Sequence, residues 1–234
     1  MSDAAAVLPT GPLPAALLFD MDGLLVDTER TWFAVESEIM AGLGAPWGDE
    51  HQAALVGGPL EKSVEYMLDH AGRPDVAPDQ LAQELLEGMV RHLRAGPVSW
   101  QPGAERLLTE AADAGVPCAL VSSSLRPVVD AVLAAIGTEH FAVTVSGDDV
   151  AQTKPNPDPY LLAAELLGVD PVRCVAFEDS ETGATSAVAA GCLTVVVPSL
   201  VSVPEGLGDV HLTALTETDL DRLSDLAAAR EYQG

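Results

Sequence analysis

Basic residues are scarce in this chain. Its 234 residues contain 11 Lys and Arg against 36 Asp and Glu, which gives a formal net charge of −25 with His neutral. Because this negative field repels nucleic-acid phosphates and anionic lipid headgroups, the composition predicts no nucleic-acid partner and no polybasic membrane anchor. Any anion that the protein binds would need local help from a metal ion or from oriented backbone N–H groups.

Long apolar segments and secretion signals are missing as well. No apolar run reaches the roughly 18 residues that a membrane-spanning helix requires. The first basic residue is Arg30, so the beginning of the chain lacks the charged region of a secretory signal peptide. We therefore expect a cytoplasmic protein with no membrane partner.

Cysteine is rare, and its positions do not form a zinc-binding pattern. Cys118, Cys174 and Cys192 all lie in or beside apolar runs. An odd number of cysteines in such settings predicts buried, reduced thiols, which agrees with a cytoplasmic location. A catalytic or redox-active cysteine is the alternative interpretation.

The apolar pattern predicts an α/β fold. Hydrophobic residues make up 48% of the chain and charged residues 20%, as is typical of globular proteins. After a first strand at 15–19, strands are predicted at 116–121, 142–145, 172–177 and 193–197, and helices at 103–114, 126–136, 159–167, 180–190 and 218–229. This alternation indicates a Rossmann-like parallel sheet with helices on both faces.

The region between the first two predicted strands is helical throughout. Helices are predicted at 28–43, 49–56, 60–71 and 79–94, with Gly and Pro at the breaks between them. Because this block interrupts the sheet after its first strand, we expect it to form a separate lobe. The predicted organisation is a loose tail (1–14), a discontinuous Rossmann-like core (15–26 and 96–234) and an all-helical insert (27–95).

Polar side chains follow four of the predicted strands, at the edge where open parallel sheets bind their ligands. They are Asp20, Asp22, Ser122, Ser123, Ser124, Lys154, Glu178 and Asp179. Each signal alone is weak, since a second Asp-x-Asp pair, Asp219 and Asp221, falls in a predicted helix. Because all of these residues are expected at one edge of the sheet, together they predict a ligand-binding site there. Clustered carboxylates repel each other unless a cation lies among them, and oxygen ligands of this kind favour Mg²⁺.

Four sequence motifs resemble those of the haloacid dehalogenase-like (HAD) superfamily, in the same order. They are F-D-M-D-G-L-L-V-D-T at 19–28, the strand that ends at Ser122, K-P-N-P-D at 154–158 and F-E-D-S-E-T-G at 177–183. The helical insert directly after the first motif is similar to the small helical cap of the β-phosphoglucomutase-like branch. The resemblance covers essentially the whole chain, and it implies that the Rossmann-like part is the catalytic core.

The resemblance implies a role for each residue of these motifs. Asp20 would be the nucleophile that forms an aspartyl-phosphate, and Asp22 the general acid and then the general base. The phosphate-binding residues would be Ser122, Ser123 and Lys154. The Mg²⁺ ligands would be Asp20, Asp22 through its backbone carbonyl, Asp179 and Glu178, the last directly or through water.

The expected function is therefore Mg²⁺-dependent hydrolysis of small phosphorylated metabolites, with sugar phosphates as the favoured class. The name-giving dehalogenases lack the metal and the second aspartate, whereas Asp22 and the pair at 178–179 are present here. β-Phosphoglucomutases carry His where this chain has Trp32 and Arg where it has Leu60, so a mutase is the alternative. A more distant alternative is a non-catalytic protein that binds a metabolite or a partner.

Substrate contacts outside the motifs are expected mainly from the cap. The candidates are Glu29, Trp32, Gly57, Leu60 and Lys62 from the cap and Arg126 from the core. Arg91 or Arg94 could replace the missing cap cation, but a solvated helical face is the preferred interpretation of both. We expect a monomer or a weak homo-oligomer.

Overall fold

The computed structural model describes residues 13–56 and 58–231. Within these ranges a single sheet contains six parallel strands in the order β3-β2-β1-β4-β5-β6. The strands are β1 (Ala16–Phe19), β2 (Cys118–Val121), β3 (Val143–Val145), β4 (Cys174–Glu178), β5 (Leu193–Val196) and β6 (Val210–His211). The predicted Rossmann-like parallel sheet is thus confirmed.

Nine α-helices accompany the sheet in the described part of the chain. Five of them lie between β1 and β2, one follows each of β2, β3 and β4, and the last follows β6. They are α1 (Glu29–Leu43), α2 (Asp49–Ala53), α3 (Leu60–Ala71), α4 (Pro78–Ala95), α5 (Ala104–Asp113), α6 (Arg126–Ile136), α7 (Asp158–Leu167), α8 (Glu181–Ala189) and α9 (Leu220–Glu231). The division into tail, core and cap at the predicted boundaries stays a prediction. Residues 1–12 of the predicted tail lie outside the described ranges.

Some predicted elements differ from the observed ones in their bounds. The strand predicted at 172–177 begins two residues later, because residues 171–173 form a 3₁₀ turn that leads into β4. The helix predicted at 49–56 ends at Ala53. The short strand β6 was not predicted, since it has only two residues and neither of them is buried.

Strands β1 and β4 form the centre of the sheet and are buried on both faces. Their side chains alternate between two apolar layers: Leu17 and Phe19 belong to one cluster, and Ala16 and Leu18 to the other. The rings of Phe19 and Phe177 are in register and stack with their centroids 4.7 Å apart. This continuous apolar run is what a parallel strand covered by helices on both faces requires.

The three cysteines are buried and free, as predicted. Burial raises the pKa of each thiol to about 12. Because the thiolate is the nucleophilic form, these residues are inert apolar side chains, which argues against a catalytic cysteine. No helix within 13–56 or 58–231 has both the length and the apolar character needed to cross a membrane.

One carboxyl group is buried inside the helical region, away from the sheet. Glu36 of α1 is 3% exposed and accepts a hydrogen bond of 3.0 Å from Trp47 Nε1. Burial raises its pKa to about 7, although the Trp47 hydrogen bond acts in the opposite direction. The folded protein therefore holds a proton on Glu36 in a pH range where the unfolded chain has lost it.

This proton makes a testable contribution to stability. Since the pKa of Glu36 is about 4.5 when unfolded and about 7 when folded, the free energy of unfolding falls as the pH rises through that window. Gln at this position keeps an acceptor for Trp47 and has no proton to lose. We expect Glu36→Gln to be about 1–3 kcal/mol more stable than the wild type at pH 8 and nearly equal to it at pH 4.5.

Urea unfolding of both proteins between pH 4.5 and 8 measures this difference. Glu65→Gln is the matched control, because Glu65 is an exposed glutamate of the neighbouring helix α3. A stability difference between Glu36→Gln and the wild type that does not change with pH would contradict the interpretation.

Candidate active site

The register of two neighbouring strands positions the first two carboxylates of the site. Phe19 of β1 pairs with Phe177 of β4, so the residues that follow them, Asp20 and Glu178, come side by side at the same edge of the sheet. The backbone N–H of Asp20 also donates to the Phe177 carbonyl at 3.0 Å. The predicted clustering of these residues at the strand ends therefore has a direct structural cause.

Lys154 lies between these carboxylates and is 2% exposed. Its ammonium group donates to Asp20 Oδ1 at 2.6 Å, to Glu178 Oε1 at 2.6 Å and to the Val121 carbonyl at 2.9 Å. Burial alone would lower the pKa of Lys154, but Asp20 and Glu178 outweigh it and raise that pKa above its ordinary value. All three N–H groups of the ammonium donate hydrogen bonds, so the positive charge of Lys154 stays in contact with Asp20.

The carboxylates outnumber this one cation, and they form a cluster that suits a metal ion. One oxygen each from Asp20, Glu178 and Asp179 lie within 4.8 Å of one another. Burial raises the pKa of Asp179 to about 7, with a further contribution from Glu178. Burial likewise raises the pKa of Asp20, against the opposing effect of Lys154. A divalent cation would relieve this excess of buried negative charge.

Glu178 supplies the observation that favours a metal at this position. Its Oε1 accepts from Lys154 and from Tyr160 Oη at 2.5 Å, whereas its buried Oε2 has no hydrogen-bond partner among the described residues. A buried charged oxygen without a partner is costly. Asp20, Glu178 and Asp179 could therefore hold an ion, and an all-oxygen ligand set is the kind that Mg²⁺ prefers.

Asp22, two residues after Asp20, is held by hydroxyl groups. Thr28 Oγ1 donates to its Oδ1 at 2.5 Å, and Ser124 Oγ and Ser122 Oγ donate to its Oδ2 at 2.8 Å and 3.3 Å. Ser122 in turn accepts from the backbone N–H of Ser124 at 2.9 Å. These contacts fix the orientation of the carboxylate at the edge of the cavity.

The site opens into a cavity between the sheet edge and the helical region. Its lining includes these residues from the two sides: Asp20, Asp22, Glu29, Trp32, Leu55, Val56, Gly58, Leu60, Ser63, Leu86, Ser123, Ser124, Leu125, Lys154, Asp179 and Ser180. Lys154 is the only cationic side chain in this set. The predicted residues Ser122 and Glu178 are buried behind the lining, at 1% and 0% exposure.

Two of the predicted substrate residues that the structure describes, Arg126 and Lys62, do not line this cavity. The guanidinium group of Arg126 donates to Thr144 Oγ1 at 2.9 Å and pairs with Asp149, so it is held at the end of β3. The side chain of Lys62 is exposed, and Gly57 lies outside the described ranges. Arg91 is likewise exposed and pairs with Glu38 at 3.4 Å.

Glu29 is a buried acid on the wall of the cavity that the helical region forms. It is 8% exposed, and burial raises its pKa to about 8, with further contributions from Asp22 and Asp179. Glu29 is therefore mostly protonated at pH 7. A neutral carboxyl group can donate one hydrogen bond as well as accept others.

Several residues that support the site carry no local sequence signal. Tyr160 binds Glu178, Ser199 Oγ donates to Asp179 Oδ2 at 2.5 Å, and Gln52 donates to Glu29. Thr28, which donates to Asp22, also supports the site, but it differs from these residues because it lies within the quoted first motif. The others could not be found from spacing, since the chain brings them in from distant segments.

Comparisons with known proteins found a family model and several relatives that this chain resembles. The model of a family described as haloacid dehalogenase-like hydrolase matches residues 17–197. The chain is 37% identical over 221 residues to YhcW of Bacillus subtilis (strain 168), which covers 90% of this chain and 96% of that protein. It is 33% identical over 178 residues to the fructose-1-phosphate phosphatase YqaB of Escherichia coli (strain K12), covering 76% of this chain and 93% of the other.

Solved structures show the same architecture. CbbY from Rhodobacter sphaeroides in complex with phosphate has a TM-score of 0.78 at 30% identity, covering 88% of this chain and 96% of that one. A mutant of that protein was solved in complex with xylulose-(1,5)bisphosphate. β-Phosphoglucomutase from Clostridium difficile has a TM-score of 0.82 over 93% of this chain and 99% of that one, and its 19% identity shows a shared fold alone.

The packing of Gly183 against the carboxylate cluster leads to a stability prediction. A Cβ atom at this position of α8 would lie 1.9 Å from Glu178 Oε2. Ala normally stabilises a helix relative to Gly by about 1 kcal/mol. Here we expect Gly183→Ala to lower the free energy of unfolding instead, on the order of 1–3 kcal/mol, because it overpacks the buried carboxylate.

Gly42 of α1 provides the matched control, since a Cβ atom there meets nothing within 4 Å. Gly42→Ala should leave stability unchanged or raise it by up to about 1 kcal/mol. Urea unfolding at one pH measures both variants. A Gly183→Ala variant at least as stable as the wild type would contradict the close packing of Glu178 Oε2 against Gly183.

Proposed function

Because the chain belongs to the haloacid dehalogenase-like hydrolase family, as its four motifs predicted, we propose that it is a metal-dependent phosphatase of small phosphorylated metabolites. The observation that carries the proposal is the cavity in which Asp20, paired with Lys154, meets Asp22 and the carboxylate cluster. Phosphoryl transfer depends on such positioning and charge neutralisation. The similarity to YqaB, which is named a fructose-1-phosphate phosphatase, supports the same reaction class.

In the first step, we assign the attack on phosphorus to Asp20. Lys154 binds Oδ1 of Asp20, so Oδ2 is the oxygen that would form the new bond to phosphorus. As the bond from phosphorus to the ester oxygen breaks, Asp22 donates a proton to that leaving oxygen. The products of this step are an alcohol and an aspartyl-phosphate on Asp20, and an acyl phosphate is itself reactive.

In the second step, water attacks the phosphorus and Asp22 takes its proton. The bond between phosphorus and Asp20 breaks, and inorganic phosphate leaves with both carboxyl groups back in their starting states. The three hydroxyl groups around Asp22 would hold its carboxylate in place between the two steps. Ser122, Ser123 and Lys154 would surround the transferring group, with the unpartnered hydroxyl of Ser123 as a donor to it.

We propose Mg²⁺ as the metal. Asp20, Asp179 and the backbone carbonyl of Asp22 would bind it, with Glu178 as a direct ligand or as the holder of a metal-bound water. When bound, the ion supplies positive charge that neutralises the phosphoryl group as it transfers. The unpartnered Oε2 of Glu178 and the excess of buried carboxylates support this assignment.

The side of the cavity that faces the helices favours a substrate with hydroxyl groups and a single phosphate. Trp32, Leu60 and Leu86 offer apolar surface, and the carboxyl group of Glu29 offers a hydrogen bond. No cationic residue from this side lines the cavity in the described part of the chain, so a second phosphate would find no ion pair. We propose sugar phosphates as the substrate class, and a monomer or weak homo-oligomer in the cytoplasm as the working form.

Phosphate release from a panel of phosphorylated metabolites, beginning with fructose 1-phosphate, tests the proposal. EDTA should abolish the activity and Mg²⁺ should restore it. Asp20→Asn should keep the fold, as judged by circular dichroism, and lose turnover by on the order of a thousandfold or more, because it removes the nucleophile.

Asp221→Asn is the control, since Asp221 belongs to the second Asp-x-Asp pair, on the exposed side of α9. It should retain wild-type activity. Substantial turnover by folded Asp20→Asn would rule out the covalent mechanism, and full activity in EDTA would rule out the metal.

The alternative of a phosphosugar mutase makes a different prediction. A mutase must hold its intermediate by a distal phosphate, and a missing charge-assisted contact costs about 1.5–3 kcal/mol, or roughly ten- to a hundredfold in affinity. With Leu60 and Trp32 lining the cavity, we expect β-glucose 1-phosphate with a trace of glucose 1,6-bisphosphate to yield inorganic phosphate and little glucose 6-phosphate. Efficient glucose 6-phosphate formation would favour the mutase, with Arg91, Arg94 or Lys62 supplying the cation.

A further inference from the structure

Glu29 separates two cavities of the molecule. On one side it lines the cavity of the candidate active site. On the other it lines a second cavity, which lies between helices α1 and α2 and the loops that follow β5 and β6. Gln52 of α2 belongs to the lining of the second cavity and not to that of the first.

Gln52 holds Glu29 from this second side. Its Nε2 lies 2.6 Å from the Glu29 backbone carbonyl and 3.2 Å from Glu29 Oε2, and it donates to both. One amide group thus fixes both the backbone at the start of α1 and the carboxyl group of its first residue. Gln52 can therefore set the direction in which Glu29 faces the active-site cavity without touching what is bound there.

The helix that carries Gln52 is itself anchored by aromatic side chains. Helix α2 has five residues, too few to be stable alone. His51, next to Gln52, stacks on Trp47 with ring centroids 4.8 Å apart, packs 4.1 Å from the ring of His70, and places its Nδ1 3.0 Å from Tyr66 Oη. His70 in turn donates from Nε2 to the Pro46 carbonyl at 3.0 Å. These contacts hold α2 against α3 and so fix the position of the Gln52 backbone.

We propose that Gln52 is a positioning residue that presents the Glu29 carboxyl group to the hydroxyl groups of the substrate. It would thereby determine the preference for hydroxylated phosphate esters over esters without hydroxyl groups. The proposal rests on the proposed function, since it concerns the substrate that the same site binds. A residue that acts only through Glu29 should affect only those substrates that Glu29 contacts.

Kinetics on two esters test this, with fructose 1-phosphate as the hydroxylated ester and 4-nitrophenyl phosphate as the ester without hydroxyl groups. For Gln52→Ala we expect KM for fructose 1-phosphate to rise about five- to twentyfold with little change in kcat, as for a lost hydrogen bond. The constants for 4-nitrophenyl phosphate should change less than about twofold. In a Glu29→Ala background, Gln52→Ala should have no further effect, because the two substitutions remove the same contact.

Gln80→Ala is the matched control. Gln80 is another glutamine of the helical region, and its Nε2 donates to Glu84 Oε1 at 2.9 Å on an exposed surface. Both esters should be hydrolysed by this variant as by the wild type. Equal losses on both esters with Gln52→Ala, or a full additional loss in the Glu29→Ala background, would overturn the proposal and leave Gln52 a merely structural residue.

A second measurement does not depend on turnover. The hydrogen bond from Gln52 lowers the pKa of Glu29, which burial raises to about 8, so Gln52→Ala should move the titration midpoint of this carboxyl group upward. Carboxyl ¹³C NMR of glutamate-labelled protein reads the midpoint, with Glu29→Gln identifying the resonance. Wild-type protein inactive on both esters and on the whole panel of phosphorylated metabolites would overturn the proposed function. If the titration midpoint of Glu29 is identical in wild type and Gln52→Ala, the role proposed for Gln52 is overturned and the proposed function still stands.

Discussion

One buried ammonium group joins the ends of three strands. Lys154 binds Asp20 after β1, the carbonyl of the last residue of β2, and Glu178 at the end of β4. Removing one partner of a buried ion pair leaves an uncompensated charge, which is strongly destabilising. The strand register brings Asp20 and Glu178 together, and this one side chain offsets the repulsion between their buried carboxylates. The single cation does not balance the carboxylates around it, which is why the same cluster suits a divalent metal.

The two sides of the cavity contribute different physical interactions. The sheet edge concentrates charge, with one buried cation and several carboxylates that share it. The helical side contributes apolar surface and the largely neutral carboxyl group of Glu29. Charge neutralisation is thus available where a phosphoryl group would react, and uncharged hydrogen bonding where the rest of a substrate would lie. An anionic substrate would therefore need a bound cation in addition to Lys154, because the carboxylates of the site outnumber its one ammonium group.

Much of the fold was predictable because its signals are local. The helices at 60–71 and 126–136 have the predicted bounds, since an amphipathic pattern ends where Gly or Pro interrupts it. The strand-end positions of Asp20 and Asp179 were equally predictable, because parallel strands present their carboxyl ends at one edge. Arg126 shows the limit of such reasoning. Its position at the start of α6 was correct, but Asp149 and Thr144 hold its guanidinium group away from the cavity.

The sequence by itself thus determined the order of the elements, the family and the set of reactive groups, since all of these are written in short-range periodicity and motif spacing. Only the tertiary structure decided which partners those groups have. Tyr160 reaches Glu178 and Gln52 reaches Glu29 because packed helices bring distant segments together, and residue spacing carries no signal for such contacts. The protonation of Glu29 was equally hidden, because burial and neighbouring charges, which exist only in the folded chain, set its pKa.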